Sequence, residues 1–495
     1  MTLRLFNTLT GQIEPLEPAD GKALRMYACG PTVYDYGHIG NFRTFLQVDI
    51  LRRFLKLTGM TLRHVMNITD VDDKIIRNAG EAGVPIGEYT QRYIQAFFED
   101  LESLRIERPE QIAHATEHIP QMVELIEKLA AAGAAYKTED GSWYFRLKAF
   151  PEYGKLSKKD LSGIEDGARV DVDEYEKDSA RDFALWKAPK PGETSWDTEI
   201  GRGRPGWHIE CSAMAMEYLG ESFDLHAGGE DLMFPHHENE IAQSESVTHK
   251  TFARHWMHVR FLLVDGRKMS KSEGNFYTLR DLLLKGFKAS AIRLALVSVP
   301  YGHQMNFTFD SLTEATNAIE RLRTFRDRLT AGNFPAGSAD ERSAMQEAAE
   351  KARADFIAAL ANDLNTADAR APIFDLVRAA NTAMDQGQFT AADRDAVLPV
   401  LKDFDAVFDV IEDRDAEPTR RALAWAEQAG RMADVAPELL AAQSLSDERI
   451  EALVAERTAA KKARNFARAD AIRNELAEKG VVIEDSKDGV KWKRK

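Results

Sequence analysis

The chain has 495 residues, 44% of them hydrophobic, and can therefore bury more than one core and divide into about two to four domains. Its formal net charge of −15 argues against a uniformly basic nucleic-acid-binding protein, because phosphate contacts require lysine and arginine. Two cysteines cannot build a disulfide framework, and the sequence has no signal peptide or membrane-spanning apolar run, so we expect a cytoplasmic protein without a membrane contact.

A parallel β-α-β unit is predicted near the amino terminus. The apolar run Leu24–Cys29 predicts a buried strand that stops at the turn Gly30-Pro31. Apolar residues between Phe42 and Leu55 recur on one helical face, and Leu62–Ile68 predicts the next strand. A strand, a glycine-containing turn and a helix are typical of the opening of nucleotide-binding α/β folds.

The pattern changes beyond residue 111. Polar helices, a charged stretch and a Pro/Gly-rich end predict an insertion before residue 206. The strand-like runs Phe223–His226 and His258–Val264 should then complete the sheet. Helical periodicity dominates from Phe309 onward, and Val481–Ile483 with Val490–Trp492 predicts a terminal hairpin.

We therefore predict an α/β fold: a Rossmann-like parallel-sheet domain with an inserted segment, followed by an α-helical bundle and a small mixed α/β carboxyl-terminal domain. The predicted boundaries are 1–115 and 207–308 for the two halves of the parallel-sheet domain, 116–206 for the insertion, 309–420 for the bundle and 421–495 for the last region. Residues 451–495 hold 12 Lys or Arg and 8 Asp or Glu, so basic charge is concentrated at the carboxyl end.

The first chemical signal is His38-Ile39-Gly40-Asn41, named here the HIGN turn, which lies where the first helix begins. Gly37 and Gly40 leave room for a phosphate to approach the helix amides. The His38 imidazole and the Asn41 carboxamide can donate hydrogen bonds to a phosphoryl transition state. Taken alone, the turn is explained equally well as a polar helix N-terminus.

The second signal is Lys268-Met269-Ser270-Lys271-Ser272, named here the KMSKS loop, which follows a strand and the turn Asp265-Gly266. Two lysines on a flexible loop can neutralise a bent triphosphate and then release pyrophosphate. A solvated basic turn is the alternative interpretation. The presence of the HIGN turn in the same chain favours the phosphate-binding one.

Both cysteines lie beside motifs, which favours a metal site. Cys29 ends the first strand, and Cys211 follows Gly206-Trp207-His208-Ile209-Glu210. His236 and Glu240 are four residues apart after Pro235, a good first helical residue, so they should share a helix face. Each residue alone is ordinary, since a lone buried cysteine usually packs as a small apolar side chain.

Together these residues form a zinc set, and we expect one Zn²⁺ per chain bound by Cys29, Cys211, His236 and Glu240. Two cysteines and a histidine fill three tetrahedral positions and leave the fourth for a substrate thiol or for Glu240. A soft metal prefers a thiolate to a hydroxyl, so such a site would select a ligand with a thiol over one with a hydroxyl.

The HIGN turn and the KMSKS loop resemble the signatures of class I aminoacyl-tRNA synthetases, although Asn41 stands where this class usually has a second histidine. Gly228-Gly229-Glu230-Asp231-Leu232 resembles the glycine-rich ATP-binding stretch of the class. The resemblance implies that the phosphoryl transition state is stabilised by His38, Asn41, Lys268 and Lys271. It further implies that ATP with Mg²⁺ is bound by Gly40, Gly228, Gly229, Asp231 and Lys271.

The full pattern resembles the cysteinyl-tRNA synthetase family, from Tyr27–Asp35 through Asn67–Asp70, Gly206–Met214 and Phe234–Ile241 to Trp492. This implies that ATP drives the attachment of L-cysteine to tRNA(Cys) through a cysteinyl adenylate, in a monomeric enzyme. The cysteine pocket would be shaped by Thr69, Trp207 and His226. The anticodon would be read by Lys461, Asp470, Arg473, Asp485 and Trp492, with Lys461 where arginine is usual.

Two other interpretations stay open at this point. A related cysteine ligase that transfers cysteine to an amino sugar would lack an anticodon-reading end, which this chain has. A zinc-dependent RNA-binding regulator without catalysis is supported only by Asn41, and the intact Lys268 and Lys271 argue against it.

Overall fold

The structure, a computed structural model, describes residues 2–159, 182–337, 343–443, 447–486 and 489–494. The strands are, in chain order, β1 (Arg4–Asn7), β2 (Gln12–Pro15), β3 (Ala23–Ala28), β4 (Thr61–Ile68), β5 (Gln111–His114), β6 (Ala135–Lys137), β7 (Trp143–Phe145), β8 (Phe183–Lys187), β9 (Arg204–Pro205), β10 (Phe223–Gly229), β11 (Ala253–Val259), β12 (Leu262–Val264), β13 (Arg267–Lys268), β14 (Met305–Phe307), β15 (Val481–Ser486) and β16 (Gly489–Arg494).

The α-helices are α1 (Ile39–Leu57), α2 (Asp73–Ala82), α3 (Ile86–Ser103), α4 (Ile119–Ala131), α5 (Trp207–Leu219), α6 (Glu238–Thr248), α7 (Leu279–Leu284), α8 (Ala289–Leu296), α9 (Phe309–Ala331), α10 (Ala344–Ala361), α11 (Thr366–Asp385), α12 (Ala391–Phe408), α13 (Ala416–Gln428), α14 (Pro437–Gln443), α15 (Asp447–Lys462) and α16 (Phe466–Glu478). Within the described ranges, no helix combines the length and the apolar character needed to cross a bilayer. The chain divides into unit 1 (Met1–Phe276 and Ser290–Glu412) and unit 2 (Tyr277–Ala289 and Asp413–Lys495).

A five-stranded sheet forms the centre of unit 1, with strand order β11-β10-β3-β4-β5 and all neighbouring strands parallel. The chain moves from β3 to β4 and β5 in one direction, and then places β10 and β11 on the opposite side of β3. The winding direction therefore reverses between β3 and β10. In open α/β sheets, ligands bind at the carboxyl ends of the strands beside such a reversal. The predicted Rossmann-like parallel sheet is confirmed.

Helix α1 is fixed within unit 1 along its whole length. Its apolar face is fully or almost fully buried and comprises Phe42, Phe45, Leu46, Leu51 and Phe54. Asp49 on the same helix accepts a hydrogen bond of 2.6 Å from the Arg293 guanidinium, and neither side chain reaches solvent. Removal of either partner would leave an uncompensated buried charge. The amino-terminal end of α1, where His38 lies, therefore has a defined position.

The described segments between residues 111 and 206 differ from expectation. Gln111–His114 is the edge strand β5 of the parallel sheet and not the start of a polar helical stretch. After α4, four short strands form an antiparallel sheet in the order β6-β7-β8-β9. The prediction of polar helices was wrong for these segments, because strands of two to five residues leave almost no periodic pattern. Most of the charged stretch, residues 160–181, lies outside the described residues.

The prediction of one strand from His258 to Val264 was also wrong. Strand β11 ends at Val259 and β12 begins at Leu262, and β12 leaves the parallel sheet to pair with β13 and β14. The Arg260 N–H donates to the carbonyl of Tyr301, which ties the break to the loop before β14. Strand β13 ends at Lys268, so the KMSKS loop begins directly at the edge of this small sheet.

The chain beyond β14 is mainly helical, as predicted. In unit 1, α10 packs against α11 and α12. In unit 2, β15 and β16 pair antiparallel from Val481–Arg494 to Ser486–Gly489, which confirms the predicted hairpin. The hairpin covers α15 and α16 around a small core formed by Ile450, Leu453, Val454, Ile472, Leu476 and Val481.

Candidate active site and metal centre

Three strands of the parallel sheet deliver candidate residues to one edge. Cys29 follows β3, Thr69 follows β4, and β10 carries His226, Gly228 and Gly229. The carboxyl ends of parallel strands lie at the same side of a sheet, beside the reversal between β3 and β10. The structure thus brings together residues that the sequence separates by up to 200 positions.

Four donor groups converge at this edge: Cys29, Cys211, His236 and Glu240. Their sulfur, nitrogen and oxygen atoms all lie within 4.8 Å of one another, and all four side chains are buried. His236 Nε2 lies 3.0 Å from Glu240 Oε1, so these two side chains share a face, as predicted. Helix α6, however, begins at Glu238, and Pro235 lies in a wider helical turn, Met233–His237, that precedes it.

The charges of this cluster depend on one another. A hydrogen bond from Cys29 lowers the pKa of the Cys211 thiol to about 6, whereas burial raises the pKa of Cys29 well above its ordinary value. Burial alone would raise the pKa of Glu240 and lower that of His236. The neighbouring opposite charges reverse both effects and bring the pKa of Glu240 to about 2 and that of His236 to about 10.

A divalent cation fits this donor set. The negative charges of the buried Cys211 thiolate and Glu240 carboxylate are offset only by the proton on His236, because Cys29 keeps its proton and is neutral. One buried metal ion can supply that positive charge instead, and metal binding displaces such protons from its ligands. Two sulfurs, an imidazole and a carboxylate are ligands that zinc accepts in a tetrahedral arrangement.

A second set of donors overlaps the first and consists of Cys29, His226, His237 and Glu240. His226 Nε2 lies 2.8 Å from Glu240 Oε2, and His237 Nε2 lies 3.4 Å from Cys29 Sγ. Zinc binds thiolates well. The first set, with two sulfurs, therefore suits zinc better than the second set, which has one sulfur and two imidazoles. His226 was predicted to shape the cysteine pocket. In the structure it contacts the carboxylate of Glu240.

Sequence reasoning missed a chain of contacts behind Cys29. His237 Nδ1 lies 2.8 Å from His258 Nε2, and His258 Nδ1 lies 2.8 Å from Thr8 Oγ1. Burial lowers the pKa of His258 to about 3 and that of His237 well below its ordinary value, so both rings are neutral. The pair His236-His237 was visible in the sequence, but only the pairing of β10 with β11 brings His258 beside it.

Thr69 and Trp207, both predicted to shape the cysteine pocket, differ in their exposure to solvent. Thr69 is buried; its hydroxyl donates to Glu210 Oε2 at 2.9 Å and accepts from Asn67 Nδ2 at 3.1 Å. Trp207 is 37% exposed and stacks on the His236 ring with centroids 4.3 Å apart. Trp207 therefore covers the cluster from the solvent side, while Thr69 belongs to its interior wall.

The HIGN turn caps helix α1 with its own side chains. The Asn41 backbone N–H donates to His38 Nδ1 at 3.1 Å, and the His38 N–H donates to Asn41 Oδ1 at 3.1 Å. Burial lowers the pKa of His38 to about 4, so its ring is neutral. Because Nδ1 accepts a hydrogen bond, Nε2 carries the proton and is a donor. The backbone N–H of residue 41 thus fixes the His38 tautomer in which Nε2 can donate, and the Asn41 side chain completes the cap by accepting the His38 N–H.

The KMSKS loop lies against the HIGN turn. Phe276, just after the loop, contacts the His38 ring edge to face with centroids 5.4 Å apart. Lys271 Nζ pairs with Asp35 at 2.7 Å and lies 5.2 Å from the centre of the Phe276 ring. Two motifs more than 200 residues apart are therefore neighbours, because Phe276 contacts His38 and Lys271 pairs with Asp35.

The glycine-rich stretch leaves no space for side chains. A Cβ at Gly228 would lie 2.7 Å from His237 Cε1, and a Cβ at Gly229 would lie 2.4 Å from Asp231 Oδ1. A side chain at Gly228 would displace the buried His237 ring, whereas one at Gly229 would require the Asp231 carboxylate to move. Asp231 itself is exposed at the start of the following turn.

The five candidate anticodon residues all lie in unit 2. Asp485 accepts two hydrogen bonds of 2.8 Å from Arg457 and one of 2.7 Å from Lys461, and these cations hold its pKa below the usual range. Asp470 and Arg473 are exposed on α16. Trp492 pairs with Ile483 across the hairpin and packs partly against the core of unit 2. Arg457 was not anticipated from the sequence.

Comparisons with known protein families cover most of the chain. Residues 15–317 match the family described as the tRNA synthetases class I (C) catalytic domain. Residues 355–411 match the DALR domain family, and residues 445–492 match the cysteinyl-tRNA ligase anticodon binding domain.

Curated relatives are similar over the full chain. The cysteine–tRNA ligase of Koribacter versatilis (strain Ellin345) is 60% identical over 498 residues, and the one of Solibacter usitatus (strain Ellin6076) is 54% identical over 495 residues; both alignments cover 100% of this chain and of the relative. The cysteine–tRNA ligase of Chlamydia pneumoniae is 45% identical and covers 99% of this chain and 98% of its own.

Solved structures share the fold. Mycobacterium tuberculosis methionyl-tRNA synthetase, solved with methionyl-adenylate, matches with a TM-score of 0.58 and 18% identity over 84% of this chain and 94% of that chain. The leucyl enzyme of Agrobacterium radiobacter K84, solved in a ternary complex with tRNA, matches with a TM-score of 0.56 and 11% identity over 82% and 87%. At these identities the likeness extends to the fold alone.

Proposed function

Because the chain belongs to the cysteine–tRNA ligase family and charges tRNA with cysteine, we propose that it acts through a cysteinyl-adenylate intermediate and that zinc selects the substrate thiolate. The observation that carries this proposal is the convergence of Cys29, Cys211, His236 and Glu240 within 4.8 Å, at the carboxyl-terminal edge of the parallel sheet. The substrates are L-cysteine, tRNA(Cys) and ATP with Mg²⁺.

Selection of cysteine rests on the metal centre. Cys29, Cys211 and His236 would hold the ion, with Glu240 either bound to it or yielding its position to the substrate. A bound zinc ion supplies a soft Lewis acid that favours a deprotonated thiol over the hydroxyl of serine. His226 orients the Glu240 carboxylate through their 2.8 Å contact, and Trp207 shields the centre from water. An apolar pocket alone would discriminate near-isosteres only about 10–200-fold.

Activation of cysteine requires charge stabilisation at the α-phosphate of ATP. His38 donates from Nε2, and Asn41, Lys268 and Lys271 add donors or positive charge around the phosphates. The first amides of α1 and the backbone at Gly40, Gly228 and Gly229 are proposed to contact the nucleotide, with Asp231 as its acidic partner. No side chain has to act as a covalent nucleophile, so positioning and preorganised charge carry the rate.

Transfer to tRNA follows from the class I assignment. The 2′-hydroxyl of the terminal adenosine attacks the carbonyl of the adenylate, and AMP leaves. Residues 309–420 are proposed to contact the tRNA stem, and residues 421–495 to bind the anticodon. Lys461 and Asp485 form an ion pair with each other. To contact anticodon bases, these two side chains would have to break that pair. The proposed active form is a monomer.

The function is tested by zinc analysis of the purified chain combined with pyrophosphate exchange and charging of a tRNA(Cys) transcript. We expect about one zinc ion per chain, charging with cysteine, and a preference over serine above the roughly 200-fold limit of an apolar pocket. Exchange with cysteine but no transfer to tRNA would favour the amino-sugar ligase. Absence of exchange would favour the non-catalytic RNA-binding regulator.

The Asp35–Lys271 ion pair gives a further prediction. ATP phosphates must draw Lys271 away from Asp35, and an exposed pair of this kind is worth at most about 1 kcal/mol. Asp35→Ala should therefore lower the KM for ATP in pyrophosphate exchange by up to about fivefold, with little change in kcat. Glu273→Ala is the matched control, because Glu273 pairs with Arg267 in the same segment and not with Lys271. A raised KM for ATP would mean that Asp35 assists binding instead.

A further inference from the structure

Two loops at the carboxyl end of the parallel sheet lie in direct contact, the one that begins at Cys29 and the one that leaves β4. The Thr69 N–H donates to the Pro31 carbonyl at 3.1 Å. A Cβ at Gly30 would lie 1.8 Å from the Asn67 carbonyl oxygen, so no side chain fits between the loops at that point. The position of the Cys29 backbone therefore depends on the segment that ends β4.

The Asn67 side chain joins these two loops. Its Oδ1 accepts the Gly30 N–H at 2.8 Å, and its Nδ2 donates to Thr69 Oγ1 at 3.1 Å. The Thr69 hydroxyl in turn donates to Glu210 Oε2 at 2.9 Å. Because a backbone N–H can only donate, the Asn67 carboxamide has to accept on one side and donate on the other. An ionised aspartate could not donate and leucine could do neither. Asn67, Thr69 and Glu210 are named here the amide brace.

The amide brace connects the backbone beside one candidate metal ligand with the backbone beside another. Gly30 directly follows Cys29, and Glu210 directly precedes Cys211. All three side chains of the brace are at most 2% exposed, so water does not replace a hydrogen bond that is lost there. Among the described residues, Glu210 Oε1 has no hydrogen-bond partner, and the bond from Thr69 to Oε2 therefore orients the carboxyl group. Three buried hydrogen bonds thus link the two cysteine-bearing segments.

We infer that Asn67 is a positioning residue that fixes the separation of the Cys29 and Cys211 sulfurs around the metal ion. The inference rests on the proposed zinc centre and adds to it a residue whose carboxamide bonds to neither cysteine. Zinc binds sulfur at about 2.3 Å in a tetrahedral arrangement, so a shift of either cysteine backbone weakens metal binding. The same hydrogen bonds hold Thr69 in the interior wall of the cluster. Loss of the Asn67 carboxamide therefore acts first on metal affinity.

The test is the zinc affinity of the full-length protein, measured by competition with a chromophoric chelator. Asn67→Ala should lower the affinity about 10–100-fold, the range found when a group behind a metal ligand is removed. Thr69→Val removes the hydroxyl and should have a comparable effect, whereas Thr69→Ser keeps the hydroxyl and should bind zinc nearly as the parent does. The double variant Asn67→Ala/Thr69→Val should bind no more weakly than the weaker single variant, because both changes break the same chain of hydrogen bonds.

A spectroscopic measurement separates positioning from a general loss of stability. The absorption of Co²⁺ bound in place of zinc reports the sulfur–metal bonds, and Asn67→Ala should change the thiolate-to-cobalt band. Gln47→Ala is the matched control, because Gln47 is a fully buried carboxamide of unit 1 that donates to the Val299 carbonyl at 3.1 Å. This control should lower the melting temperature and leave both the zinc affinity and the cobalt spectrum at the parent values.

Parent-like zinc affinity in Asn67→Ala would overturn the inference, as would an equal loss of zinc affinity in Gln47→Ala at the same melting temperature. Effects of Asn67→Ala and Thr69→Val that multiply in the double variant would also overturn it, since the two residues would then act independently. If Asn67→Ala does not fold, Thr69→Val and Thr69→Ser decide the question, and equal zinc affinities in these two variants would contradict the brace. A parent chain that binds no zinc would contradict the proposed function itself, whereas the other outcomes leave that function intact.

Discussion

Replacement of Cys211 by alanine should remove zinc from the protein and lower cysteine-dependent pyrophosphate exchange by more than about 100-fold. Substitution of a residue that only holds a metal ligand in place lowers metal affinity or activity roughly 10–100-fold. Loss of a direct ligand should therefore lower activity by more than that. The substitution also removes the sulfur that stabilises the protonated form of the buried His236 ring. Metal content by mass spectrometry and exchange with cysteine and with serine measure the effect.

The most informative result for Cys211→Ala is the ratio of its pyrophosphate exchange rates with cysteine and with serine. Loss of the metal should remove the preference for cysteine, so the residual exchange activities with cysteine and serine should approach each other. Met214→Leu, a change of similar volume at a buried position of the same helix, controls for altered packing and should keep the metal. Full zinc occupancy and parent-like exchange in Cys211→Ala would contradict the metal centre described here.

Replacement of Lys271 by alanine should lower pyrophosphate exchange by about 10²–10³-fold, the usual effect of removing one preorganised charge from a transition state. Zinc content should stay at the parent level, because Lys271 lies on the loop beside the HIGN turn and not among the metal ligands. The measurement is single-turnover formation of the adenylate at saturating cysteine and ATP.

Two companion variants sharpen the test of Lys271. Lys271→Arg keeps the charge but alters its geometry and should fall between the alanine variant and the parent. Lys250→Ala removes an exposed lysine of unit 1 that pairs with Glu221, and it should react like the parent. Exchange at the parent rate in Lys271→Ala would remove the KMSKS loop from the proposed mechanism.

The parallel sheet could be predicted because its signals are local. The apolar runs of β3 and β4 are separated by a glycine turn and an amphipathic helix, and this spacing alone favours a β-α-β unit. Cys29, His236 and Glu240 could be grouped because each lies beside a motif or at helical spacing. Because thiol, imidazole and carboxylate groups are common zinc ligands, these residues were predicted to lie close together. In the structure their donor atoms lie within 4.8 Å of one another.

The missed features depend on tertiary contacts. The contact from His237 through His258 to Thr8 needs β11 beside β10 and the amino-terminal loop beside both, and no sequence spacing encodes that. The pairing of Asp35 with Lys271 likewise joins segments 236 residues apart. The strands of the insertion were missed because a three-residue strand such as β7 is too short for alternation to be recognised.

The winding reversal between β3 and β10 has a consequence for biosynthesis. Cys29 and Glu240 are 211 positions apart in the chain, so the ribosome must deliver almost half of the polypeptide before the metal ligands can meet. Until then the thiol of Cys29 lies on a nascent segment without the other donor groups of the cluster. The cluster can therefore form only after the crossover from β3 to β10 and helix α6 have been synthesised.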